Sequence, residues 1–334
     1  MAGLLLSRRV AEAYGGRIAE IAKRAGAAVD IVVCPPDAPP AGAHKTIEIA
    51  FYSRDVWEGC DKTFVNVPTR TFFEVVDRAD RLRWLHVTSA GADLPMYQPS
   101  LARRVRVTTS SGSNAEPIAQ TVLACVLSLA RKLPHWLEAQ RKREWSPLRG
   151  AQQPHDLRGQ TAVIVGTGPI GREIARLLHA VGLRTVGIRR SAHHTAPFDE
   201  VTGYDRIDHA LPRADWLVIA CPLTEVTAKL IDARRLALLP RGSRIVNIAR
   251  GEIVEEPALI AALQGGRLAG AYLDVFAVEP LPPDSPLWTL PDVILTPHNS
   301  SASDGNHPRG VEIFLRNLDA YLGARPMENE VALR

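Results

Sequence analysis

The chain has 334 residues, long for one compact core, so two domains are expected. With 46% hydrophobic and 23% charged residues it reads as an ordinary soluble globular protein, and a formal net charge of +4 suits small anionic molecules rather than a nucleic acid. No run approaches the ~20 apolar residues of a membrane helix, the leucines at 4–6 are too few for a signal-peptide core, and the scattered Cys34, Cys60, Cys125 and Cys221 read as reduced thiols of a cytoplasmic protein.

In chain order, helical spacing over 11–25 is followed by strand-like apolar runs at 29–33, 47–51 and 82–87, with a proline-rich connection at 34–40. This alternation predicts a parallel α/β sheet. Over 115–133 runs a helix pattern that is apolar nearly all round, so it should be buried or lie in an interface. Ser113 or Asn114 could cap it, with Glu116 and Pro117 in its first turn. A second helix is predicted over 136–145. From residue 157 another βα series begins, with strands predicted at 161–165, 184–188, 216–220, 244–248, 270–275 and 293–296, and helices between them, as at 256–264. That is the size of a complete dinucleotide-binding domain. The last helix, over 310–322, has no sheet of its own and is expected to pack back on the first domain.

The segment 161–171 reads T-A-V-I-V-G-T-G-P-I-G. A β-branched run ends at Gly166, and a helix follows with Ile170, Ile174, Leu177 and Leu178 on one face. Gly166 allows the turn, Gly168 lets backbone N–H groups approach a pyrophosphate, and Gly171 permits close packing of helix on strand. The glycine spacing alone is weak; a strand before it and a helix after it make it a nucleotide site.

Three further strand ends carry chemistry. Arg250 follows the apolar run of I-V-N-I-A-R-G and offers a planar fork to a carboxylate. Asp274 is an acid inside an apolar strand, costly without a partner, and Glu279 lies on the loop after it. His298 emerges behind Pro297. Singly, Arg250 fits a surface arginine, Glu279 a solvated acid and His298 a structural imidazole. At three successive strand ends of a nucleotide fold they form a set.

These residues and their order resemble the D-isomer-specific 2-hydroxyacid dehydrogenases. The matching pieces are S-A-G-A-D at 89–93, N-A-E-P-I-A-Q at 114–120, L-R-G-Q at 157–160, the glycine motif at 166–171 and C-P-L-T-E-V-T at 221–227. N-I-A-R-G at 247–251, D-V-F-A-V-E-P at 274–280, T-P-H at 296–298 and N-E-V at 329–331 complete them. The stretch 285–298 looks closest to the glyoxylate/hydroxypyruvate reductase branch.

The resemblance implies two doubly wound parallel-sheet domains: a flavodoxin-like substrate domain from 1–108 and 300–334, with a Rossmann-type cofactor domain, 109–299, inserted in it. It implies reduction of a small 2-keto acid to the D-2-hydroxy acid. Arg250 would hold the carboxylate and polarise the carbonyl, His298 would give the proton, and Glu279 would orient the imidazole and favour its charged, proton-donating form. Substrate would also meet the backbone of Ala90 and Gly91. Cofactor contacts fall on Gly166, Gly168, Pro169, Ile170, Gly171, Cys221, Pro222, Thr227 and Ile248, and Asp274 would meet the nicotinamide carboxamide. Glu279 argues against the formate-oxidising relatives, which carry glutamine there.

One departure bears on the cofactor. An NAD enzyme usually has an acid about 20 residues past the glycine motif, bonded to the ribose diol. Here the second strand ends in Arg189, Arg190 and Ser191, and no acid appears until Asp199. Two guanidiniums and a hydroxyl suit a 2′-phosphate, so NADP(H) is favoured and NAD(H) is the alternative; a merely solvated basic turn is the bland reading. His193 and His194 read as an exposed loop pair, not a metal site. The basic 131–149 region, with Trp136 and Trp145, could pass for a nucleic-acid patch; the family resemblance implies instead that it crosses to the partner subunit of a homodimer, and neither nucleic acid nor membrane is expected as a partner. The competing readings are a dehydrogenase of a bulkier or phosphorylated acid, with Arg54 near the substrate loop, and a non-catalytic dinucleotide-sensing protein on the same scaffold.

Overall fold

The computed structural model describes residues 2–38, 42–60, 64–92, 94–190 and 195–332. It divides into two compact units, Met1–Ser113 with Ser303–Arg334, and Asn114–Ala302.

The first unit holds five strands, β1 (Ala2–Ser7), β2 (Val29–Cys34), β3 (Ile47–Tyr52), β4 (Trp84–Val87) and β5 (Arg106–Thr109). They pair in parallel in the order β2-β1-β3-β4-β5. This is the flavodoxin-like doubly wound order. Successive side chains of a strand point to opposite faces, so a sheet covered on both sides needs apolar residues throughout. Accordingly Leu4 and Leu6 join one core cluster and Leu5 the other. The helix Asn306–Leu322 supplies Val311, Phe314, Leu315 and Leu318 to the first of these, and Phe314 stacks on Phe51 at 4.3 Å between ring centres.

The second unit holds seven strands: β6 (Thr161–Val165), β7 (Arg184–Arg189), β8 (Glu200–Gly203), β9 (Trp216–Ile219), β10 (Ser243–Asn247), β11 (Leu268–Leu273) and β12 (Val293–Leu295). All pair in parallel, in the order β12-β11-β10-β9-β6-β7-β8. This is the Rossmann order with one added strand. Val163 and Val165 face one core cluster, and Ala162 and Ile164 the other. The helix Ala115–Ala130 lies in the second cluster beside the helix Pro169–Ala180, through Val122 and Val126 against Ile174 and Leu178.

Several elements differ from expectation. The N-terminal leucines form β1, and β5 and β8 were not foreseen, so the second sheet has seven strands rather than six. β8, E-V-T-G, is too short and too polar to stand out. The helix expected over 115–133 stops at Ala130, and a second helix, Leu133–Lys142, begins after Lys132, whose φ is +59°. His193 and His194 lie outside the described residues.

Candidate active site

Because every strand of the second sheet runs the same way, their carboxyl ends share one edge. The order reverses between β6 and β9, the switch point at which sheets of this kind bind their ligands. Along that edge lie His298 beyond β12, Asp274 and Glu279 beyond β11, and Arg250 beyond β10. Next come Cys221–Thr227 beyond β9, the glycine turn beyond β6, and Arg189 and Arg190 at the end of β7.

The glycine turn divides its labour. Gly166 has φ +111°, and a Cβ there would press on the Ala220 carbonyl. A Cβ on Gly171 would strike the carbonyl oxygen of Gly166, so strand and helix meet at backbone distance. Gly168 is exposed, and a Cβ on it would meet nothing within 4 Å. It is the N-cap of the helix Pro169–Ala180 and gives that helix no side-chain cap, so its first N–H groups are left for an anion. Open space above Gly168 and an uncapped helix end fit a pyrophosphate. Pro169 and Ile170 form the first turn of this helix.

Cys221, Thr227 and Ile248 are buried at 3%, 2% and 7% exposure. Thr227 Oγ1 donates to Pro222 O (2.7 Å) and accepts from Thr224 N (2.7 Å), so its hydroxyl holds the 221–227 loop in shape. Burial pushes the Cys221 thiol up to about 11. Arg189 donates to Thr195 Oγ1 (3.0 Å), and Arg190 is exposed. Asp199 sits at the far end of β7, accepting from Thr185 N (2.7 Å) and Oγ1 (3.1 Å), so it does not serve the carboxyl edge. Ser191 lies outside the described residues.

Beyond β10, Asn247 staples the turn: its Oδ1 accepts from Ala249 N (3.1 Å) and its Nδ2 donates to Arg250 O (3.0 Å). Arg250, half-buried, donates to Ala249 O (2.8 Å). Gly251 abuts the Phe276–Ala277 peptide so closely that a Cβ would strike it, which brings the Arg250 loop against the Glu279 loop.

Glu279 Oε1 accepts from Phe276 N (3.1 Å), and Oε2 accepts from His298 Nδ1 (2.9 Å). The glutamate side chain is 13% exposed and the imidazole 40%. With Nδ1 donating to the carboxylate, Nε2 is the nitrogen left for proton exchange. His298 has φ +52°, in the left-handed region. Asp274, 2% exposed, lies under this loop: Oδ1 accepts from Thr296 Oγ1 (2.6 Å), Asn299 N (2.8 Å) and Ser300 N (3.0 Å), and Oδ2 from Ser300 Oγ. The partner that a buried acid requires is thus the His298 loop itself. Residue types alone did not single out Asn247, Thr296 or Ser300, although Asn247 and Thr296 fall within the N-I-A-R-G and T-P-H pieces of the resemblance.

In the first unit, Ala90 and Gly91 lie on the loop after β4, where Ser89 Oγ donates to Gly91 O (2.6 Å). Asp93 of the same motif is outside the described residues. Among the described residues no group of His, Cys, Asp or Glu is gathered as for a metal ion, and no helix is long and apolar enough to cross a membrane.

A parallel sheet with a glycine turn at its switch point and an Arg, Glu and His beyond neighbouring strands is the arrangement expected of a dinucleotide-dependent oxidoreductase. The family model for the NAD-binding domain of D-isomer-specific 2-hydroxyacid dehydrogenases matches residues 123–300. The glyoxylate reductase of Korarchaeum cryptofilum is 34% identical over 260 residues, 74% of this chain and 75% of its own. The glyoxylate/hydroxypyruvate reductase B of Klebsiella pneumoniae is 35% identical over 231 residues, 69% and 72% of the two chains. The crystal structure of a D-isomer-specific 2-hydroxyacid dehydrogenase from Xanthobacter autotrophicus Py2, in complex with NADPH and MES, matches with a TM-score of 0.72 at 28% identity, covering 100% of this chain and 98% of that one. The chain belongs to the D-isomer-specific 2-hydroxyacid dehydrogenase family. It is an oxidoreductase of 2-keto or 2-hydroxy acids with a nicotinamide dinucleotide cofactor.

Proposed function

We propose that the protein reduces a small 2-keto acid of the glyoxylate or hydroxypyruvate kind to the D-2-hydroxy acid, with NADPH preferred to NADH. The observation that carries the reading is the His298–Glu279 pair at 2.9 Å, on a loop edge shared with Arg250. A reduced nicotinamide supplies the hydride for C2 when bound. Arg250 pairs with the substrate carboxylate and polarises the carbonyl. His298, held through Nδ1 by Glu279, passes a proton from Nε2 to the carbonyl oxygen. The N–H groups behind Gly168 take the pyrophosphate. Ala90 and Gly91 are proposed as further substrate contacts, on the family resemblance. The NADPH preference is supported by Arg189 and Arg190 at the end of β7 and by the remoteness of Asp199 from that edge.

Turnover of a panel of 2-keto acids with NADPH and with NADH tests the proposal. Glyoxylate and hydroxypyruvate with NADPH should give the highest kcat/KM. His298→Ala should lower kcat by on the order of 10²- to 10⁴-fold with cofactor affinity nearly intact. Each charge-assisted bond to a 2′-phosphate is worth about 1.5–3 kcal/mol, so Arg189→Ala or Arg190→Ala should cost NADPH roughly tenfold or more in affinity and leave NADH nearly unchanged. No turnover with any keto acid, or a wild-type kcat in His298→Ala, would sink the catalytic reading. An unchanged NADPH/NADH ratio in both arginine variants would sink the cofactor preference.

A further inference from the structure

We infer that Thr296 and Ser300 are positioning residues for proton transfer. Acting through the buried Asp274 carboxylate, they hold the loop that presents His298. The inference rests on the proposed role of His298 and deepens it.

The loop 296–300 wraps one carboxylate. Thr296 Oγ1 donates to Asp274 Oδ1 at 2.6 Å, so the Tyr272 hydroxyl, 3.0 Å away, must donate to Thr296. Asn299 N and Ser300 N donate to the same Oδ1, and the Ser300 hydroxyl donates to Oδ2. The backbone joins in, with His298 N donating to Asp274 O (2.8 Å). Ser300 O in turn accepts from Thr121 Oγ1 (3.0 Å) on the helix Ala115–Ala130. His298 is therefore flanked on both sides by residues tied to one immobile acid.

Two features show what the arrangement accomplishes. His298 has φ +52°, in the left-handed region that few non-glycine residues occupy. Its imidazole is 40% exposed, so packing alone does not fix the ring; the loop backbone and the Glu279 contact must do so. Proton transfer is steep in geometry, and a displacement of about 1 Å can cost 10²-fold in rate. An acid pinned to the loop by both its oxygens supplies the rigidity that an exposed imidazole lacks. Asp274 therefore acts on the loop, besides any contact that Oδ2 makes with the cofactor.

The test compares variants that keep or lose a hydroxyl. Thr296→Val keeps shape and loses the donor; Ser300→Ala loses the other. Each should lower kcat with glyoxylate by about tenfold or more. The dissociation constant for NADPH, from quenching of protein fluorescence, should move less than twofold. Thr296→Ser and Ser300→Thr, which retain the hydroxyl, should recover most of the loss. Wild-type kcat in Thr296→Val and Ser300→Ala, in an enzyme that His298→Ala inactivates, would overturn the inference while leaving the function standing. Weakened NADPH binding at unchanged kcat would overturn it too, by placing the network in cofactor binding. A loss that the hydroxyl-retaining variants do not recover would also refute it, since shape rather than the donor would then matter.

Discussion

His86 has no exposed surface, and both of its ring nitrogens have a hydroxyl partner. Trp84 Nε1 donates to Thr108 Oγ1 (2.8 Å), which also lies 2.7 Å from His86 Nδ1 and can donate to it. Ser110 Oγ donates to Val87 O (3.1 Å), so it accepts from His86 Nε2–H (3.1 Å). The ring is neutral and satisfied; a second proton would face the threonine's. Burial accordingly pushes its pKa down to about 3. An unfolded histidine titrates near 6.5. Between those values the unfolded chain binds the extra proton, so this group's contribution is fully present above about pH 6.5 and is lost as the pH falls toward about 3, at roughly 1.4 kcal/mol per pH unit. Chemical denaturation between pH 7 and 5 should show wild-type stability falling more steeply than that of His86→Gln, by about one proton. Equal slopes would mean that folded His86 takes up its proton over the same pH range as the unfolded chain. Arg250 poses a different single-residue question, because its value lies in the shape of its fork. Arg250→Lys keeps the charge and loses bidentate pairing, so KM for the keto acid should rise and kcat fall with NADPH binding nearly intact. Weakening of NADPH binding alone would make Arg250 a cofactor residue.

The strand, turn and helix over 161–180 separate two roles for glycine. Gly171 and Gly166 are squeezed against backbone, whereas the position of a Cβ on Gly168 is empty. Gly171→Ala must push the helix off the strand and should lower Tm by several degrees or more. Gly168→Ala should fold with an unchanged Tm, yet bind NADPH at least tenfold more weakly, because the methyl group fills the space a pyrophosphate needs. Equal binding by Gly168→Ala, measured by calorimetry, would move the phosphate site elsewhere. This turn was legible in the sequence because its requirements are local: a β-branched run, glycines at fixed spacing, an amphipathic helix. The same holds for most strands of both sheets, whose apolar runs end at turn residues. β8 escaped because an edge strand of four half-polar residues leaves no such run. The break at Lys132 escaped because nothing in R-K-L forbids a helix; its left-handed φ accompanies an ion pair with Asp292 (2.9 Å), 160 residues away. In the candidate site, Arg250, Glu279 and His298 were legible as polar residues just beyond apolar strands. The clamp on Asp274 was not, because its donors lie more than 20 residues further along the chain, and only strand pairing shows that they meet.

For the protein entire, exposed apolar surface points to assembly. Much of the helix Ala115–Ala130 is buried within its own unit, the first of the two places its apolar sequence allows. The bare residues lie just after it: Leu133, Trp136, Leu137 and Trp145, the last 97% exposed. Such a cluster is what a two-fold contact between identical chains would cover. Sedimentation at micromolar concentration should give a dimer, and Leu137→Ser with Trp145→Ser should shift it toward monomer. A wild-type monomer would count against homodimerisation.

The order of strands in the second sheet has a last consequence. From β12 to β7 there are five steps between neighbouring strands, about 24 Å at ~4.8 Å each, with the proton-transfer loops at one end and Arg189 and Arg190 at the other. Substitutions so far apart, with no protein contact in common, usually combine additively. If the proposed cofactor role of Arg189 and Arg190 holds, choice of electron donor is an edit to this scaffold separate from the proton-transfer loops. Rewriting the arginine turn would then draw reducing power from a different cellular pool while the chemistry on the carbonyl goes on unaltered.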